Sequence, residues 1–524
     1  MKRAFTSILF YLFISPLISQ EILWEKTIGG DKSELLHDLI PTPDFGFLIA
    51  GSSLSDKSGN KAQNSQGDLD YFIWKMDENG KQEWQRSYGG SGTDHLLSLK
   101  LTRDGGYILG GTSNSPKDGD KKSDSFGNDD YWIIKLNPKG EEEWQVTLGG
   151  MGQDILLSIE PTLDDGFIVG GSSDSGKSLD ENMYSKSQES KGSLDFWIVK
   201  LDKNGQIEWQ KTIGGRYTDL LRSILPTEDG GYILGGYSNS PVSGDKSSNL
   251  IGDGNYWILK LDNKGEILWD KSFGGDGADE LTTILPSKNG FIVGGNSNSK
   301  ISGNKQVSNV NGTDFWILFL DKEGEIIQQY IYDIGENDVL TSINTASNGH
   351  FLLSGYAKSK KENASFSQED YVVIKIDEEG NEIWRKILGG DGTDRLQNTI
   401  QTRDGGYILA GVSNSSADGE KNAKNLGRDD FWIVKLMDKD SELKTEVQKL
   451  EIYPNPADDF VNILVHENFK QANLKIFDMM GALMYQQTLK QKITPVDIRQ
   501  LQTGAYIIQV QLENKMYNQK LLKK

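Results

Sequence analysis

Cysteine is absent from all 524 residues. That excludes a disulfide framework, a thiolate nucleophile and a cysteine-based zinc site. Histidine is scarce: His37, His95, His350 and His466 stand in unrelated sequence contexts. There is no His-Glu-x-x-His zinc motif, no Gly-x-Ser-x-Gly nucleophile elbow and no Gly-x-x-x-x-Gly-Lys phosphate loop. Gly89-Gly90-Ser91-Gly92 has the composition of a phosphate loop but joins strand to strand without a following helix. Positive charge is in deficit, with 56 Lys and Arg against 76 Asp and Glu, a formal net charge of −20. A duplex nucleic-acid binder needs a basic footprint, so nucleic acid is not an expected partner. Nothing in the chain points to a cofactor.

Long apolar runs are also missing, except at the start. Lys2 and Arg3 precede a nearly all-apolar stretch, Ala4 to Ile18, too short to span a bilayer comfortably. With Ser19-Gln20 as the cleavage point, residues 1–19 read as a secretory signal peptide. No later stretch approaches a membrane span, so the expectation is an exported chain without an integral span.

What the chain has in excess is glycine, 59 residues, and tryptophan, 12 residues, and both recur periodically. An aromatic followed four places later by glycine appears at Phe47, Tyr107, Phe167, Tyr232, Phe291, Phe351 and Tyr407, making seven units. A second aromatic opens a strand-like run at Tyr71, Tyr131, Phe196, Tyr256, Phe315, Tyr371 and Phe431. Each unit holds four such runs. In the second they are Leu96 to Thr102, Gly106 to Ser113, Tyr131 to Leu136 and Glu141 to Leu148. Asp104-Gly105 and Asn137-Pro138-Lys139-Gly140 supply the hairpin turns, with glycine at the left-handed positions.

Seven units of four antiparallel strands predict an all-β fold, a seven-bladed β-propeller over residues 20–437. The seventh unit lacks a fourth strand, and Glu21 to Ile28 matches one. The N-terminal strand is therefore expected to complete the last blade and close the ring. The arrangement of Tyr107-Ile108-Leu109-Gly110-Gly111, Tyr131-Trp132 and Trp144 resembles kelch-type propeller repeats. The unit is about ten residues longer than the kelch unit and departs from its third-strand consensus, so the resemblance concerns fold and not partner.

Eleven of the twelve tryptophans fall on third or fourth strands at two repeat positions, and Trp74 lies two residues along its own third strand. This recurrence fits packing between blades better than a sugar-stacking platform. The inner strands repeat Leu, any residue, then a small polar group, as in Leu96 and Ser98, and these polar groups are expected to face a central channel.

The long second-to-third loops and the Gly-Gly-x-x-x-Asp crossings between blades share one face, the expected location of any binding site. Carboxylates recur there at Glu34, Asp94, Asp154, Asp219, Asp279, Asp338 and Asp394. The six aspartates are the candidate ligand contacts. A second set precedes the third strands at Asp70, Asp130, Asp195, Asp314, Asp370 and Asp430, with Asn255 in the remaining unit. Aspartate in a Gly-rich turn ordinarily accepts backbone N–H groups. Oxygen-ligated calcium is the alternative, and Asp118, Asp120 and Asp124 come nearest to a calcium loop without its ordered spacing. No loop shows a full calcium consensus, so weak or no site-specific calcium binding is expected of the chain.

From Val447 onward the composition changes: two glycines, no tryptophan, and ten Lys and Arg against seven Asp and Glu. Alternating runs such as Val461 to Val465, Leu474 to Phe477 and Tyr506 to Val510 predict a small β-sandwich over 450–524, after a linker at 438–449. Its motifs are Tyr453-Pro454-Asn455-Pro456, Ile476-Phe477-Asp478 with Gly481, Gly504-Ala505-Tyr506 and Lys520-Leu521-Leu522-Lys523. Together they resemble the type A C-terminal sorting domain of type IX secretion cargo in Bacteroidota. The resemblance implies export through the periplasm, recognition by the type IX machinery at the outer membrane, and surface attachment or release.

The sequence favours a non-catalytic binding or scaffold module for glycan or protein. The alternatives are a polysaccharide-acting hydrolase or lyase on the loop face, since paired carboxylates abound there, and a structural surface-layer component. Catalysis needs one blade to depart from the others. The third unit does so with its enlarged loop, and the sixth with Gln328-Gln329-Tyr330 in place of tryptophan and Ile334-Gly335 in place of the glycine doublet.

Overall fold

The structure is a computed structural model describing residues 20–178, 183–358, 368–402, 404–437, 449–453, 455–457, 460–513 and 515–523. The expected signal peptide, nearly all of the expected linker and Pro454 lie outside these residues.

Seven four-stranded antiparallel sheets follow one another along the chain. The second blade runs Asp94–Leu101, Tyr107–Ser113, Asp130–Leu136 and Glu142–Leu148 from the axis outward. The last sheet contains three strands from the end of the ring and one from its beginning. Glu21–Ile28 pairs antiparallel with Asp430–Met437, setting Ile28 opposite Phe431 and Trp24 opposite Lys435. Each inner strand packs against the inner strands of both neighbouring blades, and that of the first blade meets that of the seventh. The ring is closed.

Local chemistry accounts for the hairpins. Gly105 and Gly140 take φ of +79° and +73°, a region glycine enters without steric cost. Asp104 Oδ1 accepts the Gly106 N–H at 3.0 Å, tightening the turn between the first two strands. Beneath these turns a buried lysine from the third strand ties the face together. Lys135 Nζ lies 2.8 Å from Asp104 and 2.9 Å from Glu143, and Lys75 and Lys200 repeat the arrangement.

The tryptophans fill the wedges between blades. Trp132, Trp197, Trp257, Trp316 and Trp432 are fully buried. Four of them pack against a third-strand tyrosine of the preceding blade, as Tyr71 does on Trp132 with ring centroids 4.8 Å apart. The tyrosine hydroxyl then donates to the main-chain carbonyl of that tryptophan, 2.9 Å for Tyr71 to Trp132 and 3.1 Å for Tyr131 to Trp197. Fourth-strand tryptophans lean on second-strand aromatics of the next blade, Trp144 on Phe167 at 5.9 Å. In the first blade Phe72 takes the third-strand tryptophan position and meets Phe431 of the seventh at 5.7 Å.

The small polar residues of the inner strands differ from expectation. Their strands carry a register shift between Leu96 and Ser98 and at the equivalent place in every blade. A bulge of this kind re-aims side chains. Ser98 is 5% exposed, and its hydroxyl accepts the Ile159 N–H of the next blade at 3.2 Å. Ser158 and Ser223 do the same for Ile224 and Ile284. They link blade to blade instead of facing the channel.

The C-terminal segment forms a three-stranded sheet (Leu450–Tyr453, Phe460–Val465, Ile493–Asp497) and a four-stranded sheet. The second is ordered Leu483–Leu489, Ala472–Asp478, Gly504–Leu512, Lys515–Lys523. Val461, Ile463, Ile476, Ile508 and Val510 are buried together in its core.

Candidate functional site: the blade crossings and the channel

The crossing aspartates Asp94, Asp154, Asp219, Asp279, Asp338 and Asp394 open their inner strands and are fully buried. Each receives the N–H of the second residue of the glycine pair or its equivalent. Gly90 donates to Asp94 at 2.8 Å, Gly150 to Asp154 at 2.7 Å and Gly215 to Asp219 at 2.6 Å. A loop serine adds its hydroxyl, Ser115 to Asp94 at 2.9 Å and Ser415 to Asp394 at 2.7 Å. These carboxylates hold the crossing from inside instead of presenting themselves to a ligand.

The second set caps the end of the long loop, with Phe126 N–H donating to Asp130 at 2.6 Å and Gln66 N–H to Asp70 at 2.6 Å. Each lies close to the crossing acid of the following blade. Burial pushes Asp130 up to about 7, with the Asp154 charge adding to it. Asp70 rises to about 6 for the same reasons, burial first and Asp94 second. Only glycine fits over this pair: a Cβ at Gly149 would lie 1.7 Å from Asp130 Oδ1. A buried lysine completes the unit. Lys121, 2% exposed, donates to Ser115 O at 2.7 Å and Ser125 Oγ at 2.6 Å, and burial lowers its pKa. Lys61, Lys186, Lys305 and Lys421 bond the equivalent serine carbonyl, whereas buried Lys246 turns to Ser248 and Ser272 Oγ and is lowered by burial to about 8. The long loops are therefore organised about internal cations.

Asp118, Asp120 and Asp124 do not converge. Asp118 accepts the Ser91 N–H at 2.9 Å, Asp124 the Lys117 N–H at 2.9 Å, and Asp120 the Gln66 amide at 2.7 Å. Among the described residues, the one group of three close carboxylates is Asp314, Asp333 and Asp338, with ligand oxygens within 4.8 Å of one another. It lies where Asp333-Ile334-Gly335 replaces the glycine doublet. Ile334 and Gly335 N–H groups bind Asp338 at 2.7 and 2.9 Å. Buried Asp314 Oδ1 and Asp333 Oδ1 have no hydrogen-bond donor. Sequence reasoning flagged the loss of the doublet here but not the acid gained at its first position.

The inner strands hold a second grouping that sequence reasoning missed. His37 Nε2 lies 2.7 Å from His95 Nε2, so one ring donates and the other accepts. Burial, reinforced by His95, depresses His37 to about 3, which keeps the pair neutral. Sequence carries no signal for it: His37 falls in the bulge between Leu36 and Asp38, whereas His95 is paired with Thr112 before the bulge of its own strand. Nearby on the inner strands, Lys100 and Glu160 pair at 2.9 Å, and Asp38 accepts from Asn398 at 2.9 Å.

In the C-terminal domain the motif residues shape the fold. Asn455 clasps the last strand, accepting the Leu522 N–H and donating to Lys520 O, both at 2.8 Å. Tyr506 is buried, and its hydroxyl reaches Gln502 O at 2.7 Å. Gly481 turns at φ +89° and Gly504 opens a strand. Tyr453 and Lys520 are exposed, while Pro456 precedes the bridge between Ala457 and Lys523. Residues 451–524 match the family described as the secretion system C-terminal sorting domain.

The chain carries a type IX sorting domain. That domain marks it for secretion to the cell surface or the exterior and for engagement with the type IX machinery. No helix among the described residues is long and apolar enough to cross a membrane. The chain is 24% identical over 160 residues to the regulatory protein FlaEY of Caulobacter vibrioides, covering 29% of this chain and 17% of that one. It is 24% identical over 225 residues to the ulvan lyase NLR42 of Nonlabens ulvanivorans, 42% of this chain and 37% of that one. The chain thus spans well under half the length of either relative. PorZ of Porphyromonas gingivalis, a surface component of the type IX secretion system, superposes with a TM-score of 0.40 at 10% identity, over 94% of this chain and 59% of that one.

Proposed function

We propose that the protein is a surface-delivered, non-catalytic binding module, with a propeller over 20–437 presenting its long-loop face to a glycan or protein ligand. The observation that supports this reading is the inward commitment of the crossing carboxylates, each buried and accepting a backbone N–H of its crossing. The crossing after the third blade offers an exception suited to contact: Arg216-Tyr217 stands beside the enlarged loop, and Tyr217 is 50% exposed. A half-exposed tyrosine presents an apolar ring with a polar tip, the surface on which a sugar ring stacks. A glycan array probed with the mature protein tests this. Saturable binding that Tyr217→Ala weakens at least tenfold is expected; binding unchanged by that substitution removes the loop-face assignment.

The match to an ulvan lyase supports a second reading, a polysaccharide lyase or hydrolase using the same face. Release of unsaturated or reducing ends from a polysaccharide panel selects it over the first.

A further inference from the structure

We propose that Asp314, Asp333 and Asp338 form a calcium-class cation site at the crossing between the fifth and sixth blades. The proposal stands apart from the ligand-binding reading above. In five of the other crossings a glycine lies over the carboxylate at the start of the third strand, so close that a Cβ would fall 1.7 to 2.2 Å from that oxygen. Here alone among the seven the position is an acid, Asp333. The ring spends a position that elsewhere admits no side chain on a third carboxylate.

Donorless oxygens recur at the equivalent acids of other blades, Asp70 and Asp130 among them; here a third carboxylate joins the group. Asp314 is fully buried, its Oδ2 accepts the Val310 N–H at 3.0 Å, and its Oδ1 has no donor. Asp333 Oδ1 is likewise without one. Both face a group whose third member, Asp338, already holds two backbone N–H groups. Lys305, the nearest cation on the loop, is taken up by Ser299 O at 2.7 Å, Val307 O at 3.0 Å and Asn309 Oδ1 at 2.6 Å. Arg385 donates to the main-chain carbonyl of Asp333 at 3.0 Å and its guanidinium is engaged by Glu382 at 2.6 Å, so its charge acts on Asp333 and Asp338 without a side-chain hydrogen bond to either. An all-oxygen donor set without sulfur or imidazole suits a hard divalent ion. The larger, geometrically tolerant calcium accepts three carboxylates more readily than magnesium, which keeps several waters.

Two substitutions already present elsewhere in the ring make the test clean. Asp333→Gly restores the residue of the other crossings, and Asp314→Asn copies Asn255 of the fourth blade, so neither introduces a side chain the fold does not already accommodate. The mature chain, stripped with a chelator, is titrated with calcium and then magnesium by calorimetry, with the thermal midpoint followed in parallel. One calcium per chain is expected, with a rise in thermal midpoint and at least tenfold weaker response to magnesium. Each variant is expected to keep the stripped midpoint within a few degrees and lose calcium binding at least tenfold, while Asp120→Asn keeps it. No saturable calcium binding by the parent chain, or undiminished binding by Asp333→Gly, overturns the site. Equal binding of magnesium overturns its calcium class.

Discussion

Asp130 shows how a repeated residue acquires its properties from a neighbour in another blade. Its carboxyl is raised to about 7 by burial, with Asp154 adding to the shift, against about 3.9 in an unfolded chain. A raised acid binds its proton more tightly when folded. Its stabilising contribution is therefore complete below about pH 4 and is lost as the pH climbs through about 7. The fourth blade shows the neutral solution: Asn255 accepts the Ile251 N–H and donates to Ile251 O, both at 2.7 Å. Asp130→Asn is accordingly expected to gain about 2 kcal/mol on the parent between pH 5 and pH 8, measured by denaturant unfolding at both values. A gap that does not change with pH contradicts the assignment. Trp132→Ala, by removing a fully buried ring, is expected to cost about 3–5 kcal/mol in the same assay.

At the scale of the element, the closing strand is the informative piece. Deleting residues 20–28 leaves Asp430–Met437 as a bare edge and uncovers Phe431 and Ile433, which share with Ile28 the core between the first and last blades. A loss of roughly 3–5 kcal/mol and concentration-dependent self-association are expected, read by thermal unfolding and light scattering. A monomeric variant with an unchanged midpoint argues against closure by this strand. The blades and the closure were legible because their signals are local: Asp104-Gly105 makes its own turn, and Glu21 to Ile28 copies a fourth strand. The fate of Ser98 was not, because a bulge set by pairing turned it toward Ile159 of the next blade. Nor was the meeting of His37 with His95, which depends on how two inner strands lean together. The crossing aspartates could be placed from sequence, but their burial comes from a neighbouring blade that periodicity does not describe.

For the whole molecule, composition turns out to be mainly architecture. The glycines mark turns and crossings, the tryptophans fill the wedges, and the positive C-terminal segment is the sorting domain joined to a strongly negative ring. Removing residues 451–524 is expected to hold the protein in the periplasm, checked by fractionation and immunoblot. Mass spectrometry of the exported parent is expected to begin at Gln20; secretion of the truncated chain at parental levels contradicts the role given to the domain. The central claim is that the exported ring binds without turning its ligand over. Its most direct test is to incubate the mature protein with a polysaccharide panel that includes ulvan, following both binding and polymer length. Saturable binding with chain length unchanged is the predicted result; progressive shortening with new reducing or unsaturated ends contradicts it.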